Sequence, residues 1–190
     1  MRPFDFVITF LAFIFALALT HLLLAVAHMI RHRRHLVYDW AHGLWMAAAF
    51  VALWANWISL WDFHTHATLT LATLAIAFLF SINLYLVCAL VSPRLDAEDG
   101  LNMHVFHETQ GGTYIAAFAV LIGVSILINY FGGTGLDVQK WVKENAVVIA
   151  MLPATIVPLF WRARWVQIAA PVVLLALFVE YMIVFYSELR

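Results

Sequence analysis

The chain has 190 residues, of which 65% are hydrophobic and 11% charged, and a formal net charge of −1. A soluble domain carries roughly 25% charged residues, so this apolar excess calls for a bilayer as a second apolar solvent rather than one buried core. The near-neutral balance and the lack of a basic stripe argue against a nucleic-acid partner.

A membrane-spanning helix needs about 20 predominantly apolar residues. Six runs meet or approach that length: 5–30, 38–61, 67–91, 112–131, 145–161 and 165–187. They are long and lack the alternation of a barrel strand, so the expectation is an all-α, polytopic membrane bundle of six helices forming a single domain, with no soluble domain. The first run is too long for the apolar core of a secretory signal and has no small-residue cleavage site before "RHRRH", so it reads as a retained span. Its polar members are Thr20 and His21, followed by His28, Arg31, His32, Arg33, Arg34 and His35. "DFHTH" ends the second run, "SPRLDAED" the third, and "GGTGLDVQKWVKEN" parts the fourth from the fifth. The fifth is short and holds Pro153 and Pro158, which predicts a kinked span. The single cysteine, Cys88, has no internal disulfide partner and reads as a small buried thiol.

Orientation follows from Lys and Arg in the short connections. Arg31, Arg33, Arg34, Arg94, Arg162 and Arg164 share one side; Arg2, Lys140, Lys143 and Arg190 share the other. The bias places the Arg31–Arg34 loop in the cytoplasm and both termini outside. Tryptophans 45, 54, 57, 61, 141, 161 and 165 gather towards span ends, as an interfacial belt does.

"LTHLL", "WAHGLW", "WANWISLWDF", "NLYLVCALVSP" and "LDAEDG" resemble a family of small bacterial multi-pass membrane proteins without an assigned activity. The resemblance covers about the first 130 residues. It implies the helical membrane fold and a bacterial inner membrane, and it assigns no catalytic residue.

Polar groups inside apolar runs are costly and mark function by default. Glu180 is the only acid deep in a span. It lies roughly 15 Å along the helix from Arg190 and roughly 24 Å from Arg164. His21 lies roughly 15 Å from Arg31, which leaves the two groups offset in depth by roughly 9 Å. With Asn56, Asn83, Ser125 and Asn129 they form a candidate transport path for protons, ions or a small polar solute, the leading functional reading. A homo-oligomer suits so small a chain. The same polar residues also read as interhelical bridges, which would make the protein a structural or accessory subunit.

A second constellation lies at the arginine-rich side. His28, His32 and His35 are spaced four and three residues apart, His42 follows in the second run, and "HVFHE" supplies His104, His107 and Glu108 in the loop before the fourth span. Imidazole with carboxylate suits a metal ion, and His21 or His28 paired with His42 suits haem b. The alternative function is therefore a metal- or haem-binding membrane enzyme. The pattern has no adjacent histidine pair of the kind found in the histidine boxes of membrane di-iron enzymes. A topology signal also accounts for the charged run. "HTH" at His64 and His66 falls on the opposite side. No phosphate loop, nucleophile elbow or Cys-x2-Cys is present.

Overall fold

The computed structural model describes residues 3–59, 71–93, 102–132 and 138–186. His64, His66, Arg94, Ser187 and the "LDAEDG" segment lie outside them. The described residues form seven helices: α1 (Pro3–Arg31), α2 (Trp40–Ser59), α3 (Leu71–Val91), α4 (Met103–Gly132), α5 (Val138–Glu144), α6 (Ala146–Phe160) and α7 (Arg164–Tyr186). Five are long and apolar enough to cross a membrane, and six spans result if α5 and α6, bent by 70° at their junction, are one broken span.

The helix bounds follow the apolar runs with one substantial difference. The fourth helix begins at Met103 rather than near residue 112, so His104, His107 and Glu108 stand on its first turns and not in a loop. Asn102 explains the early start. Its side-chain oxygen accepts the backbone N–H groups of His104 (3.1 Å) and Val105 (3.2 Å), satisfying donors that a helix N-terminus leaves open. Of these first turns Met103, His107 and Gly111 are buried against protein, while Glu108, Thr109 and Gln110 are exposed.

α2 is the central helix, in contact with α1, α3, α4 and α7. Its buried face carries Ala41, Ala48, Ala49, Ala52 and Ala55, small residues that let neighbouring backbones approach closely. Trp45, Tyr114, Phe118 and Leu84 fill the space that remains and are fully buried. α1 packs chiefly on α3, α3 on α4, α4 on α6, α6 on α7, and α7 back on α2.

The α5–α6 bend is fixed by side chains. Asn145 donates from Nδ2 to the Trp141 carbonyl at 3.0 Å and accepts from Asn129 Nδ2 at 2.8 Å, while Trp141 Nε1 donates to the Asn129 carbonyl at 3.1 Å. At the other end of α6, Gln167 of α7 donates to the carbonyls of Pro158 (2.8 Å) and Trp161 (3.2 Å), which the helix terminus leaves open.

Candidate functional site

The site begins at Asp39, one residue before α2. Its Oδ1 accepts the backbone N–H of Ala41 at 2.7 Å and of His42 at 3.3 Å, which makes it the N-cap of the central helix. Its Oδ2 accepts from His104 Nδ1 of α4 at 2.8 Å and from Arg164 Nη2 of α7 at 3.3 Å. One carboxylate therefore ties three helices together, and it is 1% exposed. Burial pushes that carboxyl's pKa up. The hydrogen bonds from His104, His42 and Ala41, together with the Arg164 charge, outweigh burial and hold it below the ordinary value.

A backbone pairing draws the connections together. Val37 forms an isolated bridge with Asn102, and the Met103 N–H donates to the Val37 carbonyl at 3.0 Å. The α1–α2 connection, the start of α4 and the start of α7 thus meet at one end of the bundle.

From this junction a chain of titratable groups runs inward. Glu108 Oε1 is exposed and lies 3.2 Å from His104 Nε2. His104 bonds to Asp39. His107, one turn further into α4, is 8% exposed, and its Nδ1 is hydrogen-bonded with the Tyr114 hydroxyl. The Gln167 side chain lies alongside His107. Tyr114 and Phe106 in turn flank His42, with ring centroids 5.8 and 5.0 Å away. His42 is completely buried, and neither of its ring nitrogens has a hydrogen-bond partner. Trp45 Nε1, Gln167 Oε1 and Asn83 Nδ2 are likewise buried without a partner. A buried polar atom left unpaired costs about 1–3 kcal/mol, so these five atoms are the costly polar groups of the interior.

Three glycines make room for these side chains. A Cβ on Gly43 would run into the Tyr38 hydroxyl, one on Gly112 would lie 2.8 Å from Arg162 Nη2, and one on Gly111 would lie 3.3 Å from His107 Nδ1. The Gly in "WAHGLW" and the pair in "HETQGGTY" are seats for polar groups, which is why glycine suits these helical positions despite its cost there.

The residues named from sequence divide accordingly. His42, His104, His107 and Glu108 come together around Asp39. His28 and His32 stack at 4.0 Å between ring centroids at the exposed end of α1, and His35 is exposed just beyond them. Among the described residues, no group of three or more His, Cys, Asp or Glu is placed to hold a metal ion. His21 is on the outer surface, and its Nε2 hydrogen-bonds with the Tyr85 hydroxyl of α3 at 3.0 Å. Asn56 Nδ2 donates to the Ala52 carbonyl at 2.7 Å, and Ser125 Oγ donates to the Leu121 carbonyl at 2.9 Å, so both use their donors within their own helices. Asn129 is spent on the α5–α6 bend. Glu180 faces outward on α7, away from the cluster.

Sequence reasoning passed over Tyr114, Gln167, Arg162 and Arg164 as site residues and gave Asp39 no role of its own. Only Asp39 carried a usable signal: an acid directly before an apolar helical run is an N-cap pattern. The others are found through contacts between helices far apart in sequence. No protein-family model, curated protein or solved structure matches the chain.

Proposed function

We propose that the protein passes protons across the bilayer, entering through the Asp39 junction. The observation that carries the reading is His42, an imidazole that is fully buried, unpartnered at both nitrogens, and set at the inner end of a line of titratable groups. An imidazole can take a proton at one ring nitrogen and release one from the other. The line from Glu108 through His104 to Asp39 reaches the surface, and the His107–Tyr114 pair links it to His42. An acid or histidine buried among membrane helices is typical of a proton relay. Beyond His42 the next buried polar atoms without a partner are Trp45 Nε1 on α2 and the Asn83 amide on α3. Ions or a small polar solute are the wider class to which this cargo belongs.

Purified protein in vesicles loaded with a pH-sensitive dye, with the membrane potential clamped by potassium and valinomycin, tests the reading. Acidification faster than in protein-free vesicles is expected, and Asp39→Asn should slow it while leaving the protein folded. Equal rates with and without protein would sink the idea.

A further inference from the structure

Among the described residues, Glu180 stands alone. It lies on the outward face of α7, the helix whose other face, through Val166, Ala170, Leu174 and Phe178, is buried against the bundle. No described residue offers it a hydrogen bond or an ion pair. Its neighbours on that face are apolar and exposed: Val172, Val173, Val179, Ile183 and Val184. Glu180 lies within the candidate span Arg164–Val184, where a carboxyl facing hydrocarbon is costly. His21, exposed on α1, already has Tyr85.

The outward face also carries an ordered pattern. Ala169, Val173, Ala176, Glu180 and Ile183 follow one another at spacings of four, three, four and three residues. That is the period of a left-handed helix pair, with two alanines at positions where close approach of backbones helps association in lipid. The buried face does not need this pattern, because it packs on α6 and α2.

We infer that α7 pairs with α7 of a second copy of this chain, so that the two Glu180 carboxyl groups meet. Two copies inserted the same way are related by a two-fold axis along the membrane normal. Such an axis brings each residue to the same depth in both copies. A protonated carboxyl is both donor and acceptor, so it is complementary to its own symmetry mate. A head-to-tail contact of Glu180 with His21 of a neighbour lacks this match, because the two differ in depth by roughly 9 Å. Ala176, one turn before Glu180 on the same face, is where the backbones come closest.

The test is disulfide cross-linking of Ala176→Cys in native membranes by copper phenanthroline, read on a non-reducing gel. Cys88 is buried and stays in place. A dimer band is expected from Ala176→Cys and none from Phe13→Cys, a control on the outward face of α1. Adding Glu180→Leu should lower the band about three-fold, the ratio that an average interhelical hydrogen bond in a membrane represents, while Glu180→Gln keeps it. No band from Ala176→Cys, equal bands at the two positions, or a band indifferent to Glu180→Leu would overturn the inference. The result is independent of proton flux.

Discussion

At the scale of single residues, Asp39 does two separable jobs. One oxygen caps α2, and the other joins His104 and Arg164. Asp39→Ala removes both and should cost about 2 kcal/mol: about 1 for the cap and about 1 for the lost bonds to partners that remain part-exposed. Asp39→Asn keeps the capping oxygen and should cost about half as much; thermal unfolding in detergent separates the two. The pH response follows from the lowered pKa. The folded carboxyl titrates below its ordinary value of 3.8, so the unfolded chain takes up the proton first as pH falls. The stability Asp39 supplies is therefore complete above that value and lost as pH drops through the lowered one. Unfolding followed from pH 6 downward should show the wild type losing its advantage over Asp39→Asn in that acid range. An unchanged gap would remove the charge from the account. The second run, taken from residue 38, places Asp39 inside the span and hides the cap, although an acid directly before an apolar helical run is an N-cap pattern. His104 and Arg164 are 65 and 125 residues away from it, and no local pattern announces them.

At the scale of elements, apolar run length located the helices well, because the bilayer demands long uninterrupted spans. It failed at the start of α4 for a physical reason. "HVFHETQGG" is too polar for lipid, yet it is helical because Asn102 caps it and because α4 packs on α2 there. α5 was hidden for the opposite reason: seven residues are too few for a periodic signal, and the Asn129–Asn145–Trp141 contacts hold it. The glycines of α4 give a prediction specific to this reading. A Cβ on Gly123 meets nothing within 4 Å, so Gly123→Ala should stabilise the protein by about 0.5–1 kcal/mol through reduced backbone freedom. Gly111→Ala gains the same backbone term but crowds His107. It should show little or no net stabilisation and weaken the His107–Tyr114 bond. Melting temperatures of the two variants check the pair, and an equal gain in both would show that Gly111 seats nothing.

At the scale of the whole molecule, composition was enough for an all-helical chain suited to a membrane, and chain order placed the polar connections on one side. What it did not reveal is which polar residues converge. Asn56 and Ser125 sit at depths suited to a path but spend their donors on their own helices, and His21 and Glu180 face outward. The groups that do meet come from α2, α4 and α7 at one end of the bundle. A hydropathy reading sorts residues by depth and says little about which way each side faces. The central claim, that His42 carries the protons, is tested most directly by comparing proton flux in vesicles holding wild type, His42→Phe or His21→Phe at equal protein content. Phenylalanine preserves the ring's bulk against Phe106 and Tyr114 while removing both nitrogens. The account predicts that His42→Phe falls to the protein-free rate while His21→Phe retains the wild-type rate; undiminished flux in His42→Phe would contradict it.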